Sequence, residues 1–406
     1  MLAGVVAACA PVRAASPPVP ELVGAQPATT HVAADLVADE RDRDLAGVER
    51  GEPTTAVGLT DRPAADEPES ADTATLSGWG AFDRSLERSI IANGSPSLSV
   101  AVMADGQLVR SIALGQHAVG SGQAVDEYSR FRVASISKII TAVVVLQLVD
   151  EGLIGLDQPI GARLAAGLGV GSVSPSVAAL TAEHLLSHTS GFGSYQSSFF
   201  SERQLTCADA GAQALASGSA TPGGGMRYSN MNYCLAHLLI EELTGQTYTD
   251  AVYERFLTPL GITGMRLAGT YDTGPDEVGH FSRPGRNYME ALGGAGAWVA
   301  SAADVARIVD SLDPVTPGWR PLGPDLLARM RQPPLERAAG GYGLGLMLYP
   351  DGSVGHTGTL ESTHAMVVSR PDGVTWAVLV NGEHPRESAA LRSMVDRAFA
   401  AGFPDG

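Results

Sequence analysis

The segment over residues 135–151 most strongly constrains the fold, because it is helical in pattern and apolar on nearly every side. Its apolar residues are Ile139, Ile140, Val143, Val144, Val145, Leu146, Leu148 and Val149. A helix that is apolar all round lies buried in a large core. Gly152 supplies a stop signal at its end. The sequence therefore predicts a long central helix around which the rest of a domain packs.

The only lysine of the chain lies in the first turn of this helix. Lysine and arginine total 27, and Lys138 is the single lysine among them. Ser135 lies three residues earlier, on the same helix face, whereas Ser137 points elsewhere. Burial lowers the pKa of an amine by desolvation, so a buried lysine can act as a base for a neighbouring serine. Arginine cannot lose its proton. The pair predicts a nucleophile with its base.

Strand patterns occupy both ends of the chain, and helical patterns lie between them. Apolar runs over 98–104 and 107–114 flank Asp105-Gly106, a hairpin signal. Further predicted elements are helices over 82–92, 181–186, 208–216, 232–244, 248–257, 302–312 and 387–401, and strands over 345–349, 353–356, 363–369 and 375–380. This order favours an α/β chain of the α+β type, with an antiparallel sheet built from both termini and a helical insertion.

The amino-terminal region differs in composition from the rest. Met1–Ala8 is an apolar stub, and residues 6–9, ending in Cys9, resemble a bacterial lipobox. Residues 10–77 are rich in Ala, Pro and acidic side chains, which predicts a disordered tether. The folded domain is then expected over 78–404. A lipoprotein on the outer face of the membrane and plain secretion remain open, with an intracellular protein as a third alternative.

Composition excludes several function classes. The net charge of −17 opposes binding to nucleic-acid phosphates. No run of 18 apolar residues occurs, so membrane contact is expected only through a lipid on Cys9. No pair of the nine histidines with His-x-x-x-His or His-x-His spacing has an obvious carboxylate partner, and three cysteines are too few for a cysteine-rich zinc site. The absence of Gly-x-Ser-x-Gly disfavours an α/β-hydrolase.

Three ordered motifs resemble those of serine β-lactamases and penicillin-binding proteins. Residues 135–138 match Ser-x-x-Lys. Residues 228–230, Tyr-Ser-Asn, resemble the Tyr-x-Asn motif of class C β-lactamases and related DD-carboxypeptidases, and residues 356–358, His-Thr-Gly, resemble the Lys-Thr-Gly strand. The resemblance implies a β-lactamase/transpeptidase-like fold. A five-stranded antiparallel sheet flanked by helices (78–140 and 290–404) would adjoin an all-helical part (141–289), with the site between them.

The resemblance also implies roles. Ser135 would be the acylated nucleophile and Lys138 its proton acceptor. Tyr228 would act as a phenolate or proton relay, its pKa lowered by a neighbouring cation. The residues expected to bind the substrate or its oxyanion are Asn230, His356, Thr357, Gly358 and Thr359. The backbone N–H groups of Ser135 and Thr359 would form the oxyanion hole. No metal or organic cofactor is expected, and His188 is interpreted as structural.

His356 departs from the lysine of most β-lactamases and is similar to the histidine of DD-carboxypeptidases and some esterases. Because histidine is only partly charged near pH 7, Arg283 or Arg286 would have to attract a substrate carboxylate. D-alanyl-D-alanine carboxypeptidase activity is the first choice. A β-lactamase or small-ester hydrolase is the second, and a catalytically idle penicillin-binding envelope protein is an alternative of another class. The expected partner is a D-Ala-D-Ala peptide, a β-lactam or an ester, bound by a monomer.

Cys207 and Cys234 lie on either side of Tyr228 in the sequence. In an exported protein they would pair and staple the Tyr228 loop. Closing a ring of this size stabilises a fold by roughly 3–4 kcal/mol in the chain-entropy model. Two buried free thiols are the alternative.

Overall fold

The computed structural model describes residues 73–200, 205–334, 341–385 and 387–404. The lipobox-like segment with Cys9 and the tether up to residue 72 lie outside the described residues. Helix α1, Thr73–Asn93, begins before the predicted domain start at residue 78. The domain boundaries inferred from composition otherwise stay a prediction.

One antiparallel sheet of seven strands organises the domain. The strands of the chain are β1 Ser97–Ala104, β2 Gln107–Gly115, β3 Phe131–Arg132, β4 Arg266–Leu267, β5 Trp298–Ala300, β6 Gly341–Tyr342, β7 Met347–Leu348, β8 Val354–Leu360, β9 Thr363–Ser369 and β10 Val374–Asn381. The large sheet has the order β2-β1-β10-β9-β8-β7-β6, and β3, β5 and β4 form a second, small sheet.

The expected count of five strands is wrong, although the five long strands of the sheet are the predicted ones. Strands β6 and β7 extend the β8 edge by only two residues each. Strand β7 lies within the predicted strand over 345–349, whereas no pattern predicts β6, because a two-residue strand is too short to show alternation of apolar and polar side chains. The same reason hides the small sheet, whose strands have two or three residues.

Helices cover both faces of the large sheet. The remaining helices are α2 Ser137–Asp150, α3 Gly161–Gly167, α4 Pro175–Ala178, α5 Ala182–Leu186, α6 Gln196–Phe199, α7 Cys207–Ser217, α8 Asn230–Thr244, α9 Tyr248–Val252, α10 Tyr288–Leu292, α11 Ala302–Asp310, α12 Pro324–Met330 and α13 Ser388–Gly402. Trp376 and Val378 of β10 pack with α1 and α13. Ala377 and Leu379 face the main core, which contains α2 and α8. Burial on both faces explains why the central strands are continuously apolar.

The central helix is buried as predicted, but it begins later. Residues 137–148 of α2 are all buried. Ser135 lies in a 3₁₀ turn, Ala134–Ile136, that precedes the helix. Ala134 has a φ of 49°, in the left-handed region, so the α-helical ladder starts only after this turn. Helix α2 has 14 residues, and within the described residues no helix has the length and apolarity to cross a bilayer.

Two local predictions concern the connections. The turn residues Asp105 and Gly106 have φ values of 50° and 77°, which is the geometry that a two-residue hairpin needs. Cys207 and Cys234 form a disulfide between α7 and α8. The staple therefore holds the helix that follows Tyr228 and begins with Asn230.

Candidate active site

The amine of Lys138 lies at the centre of a buried polar cluster. Its Nζ is 3.0 Å from Ser135 Oγ, 2.8 Å from Asn230 Oδ1 and 2.6 Å from the carbonyl oxygen of Ala295. The side chain is fully buried. Among the described residues, no carboxylate forms an ion pair with it. Desolvation therefore lowers the pKa of Lys138 well below its usual value of 10.5.

These contacts fit a neutral amine with one lone pair. A neutral amine has two N–H groups, and the oxygens of Asn230 and Ala295 can accept both. The lone pair is then left for the hydroxyl proton of Ser135. In the neutral form Ser135 would donate to the lysine, whereas the protonated amine donates to Ser135 Oγ across the same 3.0 Å contact. This is the arrangement that a general base needs, within hydrogen-bond reach of the proton that it removes.

Tyr228 completes the contacts of the serine. An interaction of its phenol with the Ser135 side chain acts to lower the pKa of the phenol. The ring lies beside the lysine, with the Lys138 Nζ 5.1 Å from the ring centroid. Ser135 thus has both candidate proton-transfer groups as neighbours, with Lys138 Nζ at 3.0 Å from its Oγ, and the structure brings together the three residues singled out from the sequence.

The expectation that a cation lowers the pKa of Tyr228 is wrong. Burial raises the pKa of the phenol above its usual value of 10, and the interaction with Ser135 only partly opposes this. Burial also disfavours the charged form of Lys138, which weakens any stabilisation of a phenolate by this amine. Tyr228 is therefore protonated in this state and fits the proton-relay role rather than the phenolate role.

Strand β8 presents an open edge to Ser135. Strand β7 pairs with β8 only at Val354 and Gly355, so in the described residues the rest of β8 has a partner strand only in β9. The open edge lies against the 3₁₀ turn that carries Ser135. Thr359 is exposed on this strand. An open edge beside the nucleophile can accommodate a substrate backbone, and the oxyanion role of Thr359 stays a prediction.

Gly358 allows the close approach of this strand. A Cβ atom at position 358 would lie 2.2 Å from the carbonyl oxygen of Val133 and 3.1 Å from Cβ of Ala134. Both neighbours are rigid parts of the turn before the nucleophile. The glycine of the third motif is therefore required for space rather than for a left-handed backbone.

We expect Gly358→Ala to separate β8 from the Ser135 turn. Overpacking of this kind costs about 1–3 kcal/mol, and acylation of Ser135 should fall at least about tenfold because the cleft widens. Labelling by a fluorescent penicillin and a thermal melt check both effects. Gly171→Ala is the matched control, since a Cβ there meets nothing within 4 Å. Equal labelling rates for the two variants would contradict this account of Gly358.

His356 makes buried contacts within the protein, and its expected part in substrate binding stays a prediction. It is fully buried. Its Nδ1 lies 2.6 Å from the carbonyl oxygen of Thr357 and its Nε2 lies 2.9 Å from the hydroxyl of Tyr342. Nδ1 therefore donates and Nε2 accepts, which fixes a neutral ring. Burial, together with Lys138, lowers the pKa of His356 to about 3. It is uncharged at pH 7 rather than partly charged.

Arg283 and Arg286, the residues suggested in place of His356 for binding a substrate carboxylate, both pair with the carboxylate of Glu361. Arg286 Nη1 lies 2.9 Å from Glu361 Oε1, and Arg283 Nε lies 3.4 Å from the same oxygen. Glu361 directly follows β8. Two guanidinium groups with one carboxylate leave one net positive charge, and the Arg283 side chain is 65% exposed. Arg283 is thus the candidate that remains accessible to an anion.

Several contacts of the site escaped the sequence analysis. The contact of Lys138 with the Ala295 carbonyl cannot be predicted from residue types, because every residue has a backbone carbonyl. The hydrogen bond between Tyr342 and His356 joins two separate segments, and no sequence pattern predicts it. Thr357 points its hydroxyl toward the sulfur of Met347, 3.8 Å away, rather than at Ser135. In the described part of the chain, no cluster of three or more His, Cys, Asp or Glu side chains could hold a metal ion.

Fold and site together define a serine hydrolase of the β-lactamase/penicillin-binding protein superfamily. The family model described as Beta-lactamase matches residues 82–401. The chain therefore belongs to the beta-lactamase family, whose members are serine hydrolases.

Individual relatives differ in their described activities. Penicillin-binding protein 4 of Amycolatopsis lactamdurans is 30% identical over 321 residues, covering 71% of this chain and 81% of the relative. Esterase EstB of Burkholderia gladioli is 28% identical over 387 residues, covering 79% and 94%. The crystal structure of a D-stereospecific amidohydrolase from Streptomyces sp. superposes with a TM-score of 0.63 at 25% identity, covering 80% of this chain and 98% of that one.

Proposed function

We propose that the protein hydrolyses peptides ending in a D-amino acid, in the manner of a D-alanyl-D-alanine carboxypeptidase, through an acyl intermediate on Ser135. The observation that carries the chemistry is the Lys138 amine, held by two carbonyl oxygens with its third position toward Ser135 Oγ. A penicillin-binding protein and a D-stereospecific amidohydrolase among the similar proteins support the choice of substrate.

The geometry accounts for each proton in the reaction. Lys138 Nζ accepts the proton of Ser135 as Oγ attacks the carbonyl carbon and the oxyanion forms. The phenol of Tyr228 protonates the leaving amine, the C–N bond breaks, and the protonated Lys138 returns its proton to the Tyr228 phenolate. Water then attacks the acyl-serine, with the same groups transferring protons in reverse. The Oδ1 atom of Asn230 is held by Lys138, so its Nδ2 is free to donate to the substrate amide.

The cluster of Arg283, Arg286 and Glu361 supports recognition of a terminal carboxylate. It keeps one net positive charge at the end of β8, where a substrate lying along the open edge would leave the cleft. Product analysis tests this choice. A peptide ending in D-Ala-D-Ala should release D-alanine, and blocking its carboxyl group as an amide should lower kcat/KM. Faster cleavage of the blocked peptide would contradict carboxypeptidase specificity.

A small-ester hydrolase is the second candidate. The specific observation in its favour is the buried, neutral His356, which offers no charge to a substrate carboxylate. The similarity to an esterase points the same way. An uncharged short-chain ester turned over with a higher kcat/KM than the D-Ala-D-Ala peptide would favour this candidate over the first.

We expect slow turnover of β-lactams. Without a charged residue at position 356, the carboxylate of a cephalosporin loses one anchor, and the acyl-enzyme should persist. Nitrocefin hydrolysis should therefore stay below the median of enzymes, on the order of 10 s⁻¹. A rate above that value would place β-lactamase activity ahead of peptidase and esterase activity.

A catalytically idle binding protein is the alternative of another class. Such a protein would form a stable penicilloyl adduct but release no product from a peptide or an ester.

We also propose that the protein is exported, since the Cys207–Cys234 disulfide is typical of oxidising compartments. Both cysteines reduced in protein taken from its native host without reductant would contradict export.

A further inference from the structure

His188 accepts hydrogen bonds from the backbone on both sides of Tyr228. Its carbonyl oxygen accepts a hydrogen bond from the N–H of Arg227 at 2.8 Å. Its ring nitrogen Nδ1 accepts from the N–H of Ser229 at 3.2 Å. The two backbone N–H groups that flank Tyr228 are thus bound by one residue. The segment is held at the two points nearest to the phenol.

The ring of His188 also supports the phenol directly. It is fully buried, and its centroid lies 4.3 Å from that of Tyr228. Tyr342 and Tyr233 close around it at centroid distances of 4.7 Å and 5.2 Å. Such packing fixes the ring plane of Tyr228 as well as its backbone, because a shift of either ring would lose the contact.

The orientation of the imidazole is determined by its neighbours. Ser190 Oγ donates to Asn232 Oδ1 at 2.6 Å, which turns the Asn232 Nδ2 toward His188 Nδ1 at 3.0 Å. Nδ1 therefore accepts two hydrogen bonds, and the ring proton lies on Nε2. That Nε2 is buried and has no hydrogen-bond partner among the residues that the structure describes. A ring without an acceptor at Nε2 cannot pass a proton along a chain, so its role is support.

The backbone conformation of His188 allows both hydrogen bonds to form. His188 has a φ of 59°, so its carbonyl and its ring can both face the Tyr228 segment. Among non-glycine residues, His, Asn and Asp adopt this left-handed conformation most readily. Histidine at this position thus tolerates the left-handed backbone, accepts a hydrogen bond through Nδ1 and packs its flat ring against Tyr228.

We propose that His188 is the positioning residue for Tyr228, setting the distance of the phenol from Ser135. This proposal rests on the proposed function, because it assumes that Tyr228 serves acyl transfer. It assigns no proton transfer to His188. The role differs from simple support of a loop, because it predicts an effect that depends on the Tyr228 hydroxyl.

Two substitutions of His188 separate the effect of its hydrogen bond to the Ser229 N–H from the effect of its ring packing. His188→Asn keeps an acceptor in the place of Nδ1 and tolerates the positive φ, but it removes the ring. His188→Ala removes both. We expect the Ala variant to acylate with a fluorescent penicillin about 10²-fold more slowly than wild type, and the Asn variant to recover at least about tenfold of this loss. His184→Ala, which removes a half-buried imidazole outside the site, should label at the wild-type rate.

A double-mutant cycle with Tyr228→Phe provides the decisive readout. If His188 acts through the phenol, His188→Ala should slow labelling less than about threefold once the hydroxyl is absent. Full additivity of the two losses, in variants that melt cooperatively, would overturn the positioning role. An Asn variant no faster than the Ala variant would also overturn it. Failure of the wild-type protein to label at all would instead contradict the proposed function itself.

Discussion

Replacing Lys138 with arginine should slow acylation of Ser135 by at least about 10²-fold, the contribution of a positioned general base. Arginine keeps the positive charge but stays protonated, and its planar fork cannot offer a lone pair to Ser135 Oγ. The 2.6 Å and 2.8 Å contacts of Nζ also leave little space for a guanidinium. A lysine that served only as a structural cation would tolerate the exchange.

The rate of labelling by a fluorophosphonate or a fluorescent penicillin measures this effect. A thermal melt should run in parallel, since overpacking the buried helix costs about 1–3 kcal/mol. Lys138→Met is the second variant, because it removes the amine and leaves an uncharged side chain of similar length. If a folded Lys138→Arg protein labels at the wild-type rate, Lys138 is not the base.

The pH dependence of the wild-type rate belongs to the same prediction. Only the neutral amine accepts a proton, so acylation should fall about tenfold per pH unit below the pKa of Lys138 and level off above it. Burial places that inflection well below 10.5. The pKa of His356 is about 3, and burial also lowers that of His188, so neither imidazole accounts for an inflection near neutral pH. A rate that rises only near pH 10 would contradict a depressed pKa.

Tyr228→Phe should lower the turnover of a D-Ala-D-Ala peptide by about 10²-fold, because the leaving amine loses its proton donor. The phenol is neutral in the structure, so its proton is available when the C–N bond breaks. Phenylalanine keeps the ring contact with His188, and the fold should therefore remain intact. The loss should be smaller for an activated aryl ester, whose phenolate leaving group needs no protonation.

Tyr233→Phe is the matched control for this change. Its ring also lies near the lysine, at 5.7 Å from Nζ, but its hydroxyl donates to the carbonyl oxygen of Leu186 at 2.7 Å. Losing that bond should cost about 1 kcal/mol of stability and leave turnover within a few-fold of wild type. Equal losses in the two variants would assign the effect to packing rather than to proton transfer.

The sequence predicts the parts of the fold that depend on long periodic patterns. The apolar segment around Lys138 indicates a buried helix, and Asp105-Gly106 indicates the hairpin. The start of the central helix was placed too early, since a single residue, Ala134, has a left-handed backbone that no pattern announces. The two-residue strand β6 at the sheet edge is missed, as are the short strands of the second sheet, because alternation needs more residues to be visible.

The chemistry of the site is predictable only where it depends on residue types. Ser135, Lys138 and Tyr228 form motifs, and the structure brings them into contact. The burial of His356 and the protonated state of Tyr228 depend on packing between segments far apart in the sequence. The hydrogen bonds of His188 on both sides of Tyr228 are also not predictable from residue types. One of them uses the backbone carbonyl of His188, and both depend on its positive φ.

The central claim is that Ser135 forms a covalent acyl intermediate, and intact mass spectrometry tests it most directly. After incubation with penicillin, an ester and a D-Ala-D-Ala peptide, the mass should increase by one acyl group with at least one of them. Proteolysis should place the added group on the peptide that contains Ser135, and Ser135→Ala protein should show no increase. An unchanged mass with all three compounds, while product forms at the wild-type rate, would contradict the account, as would an adduct on any other residue.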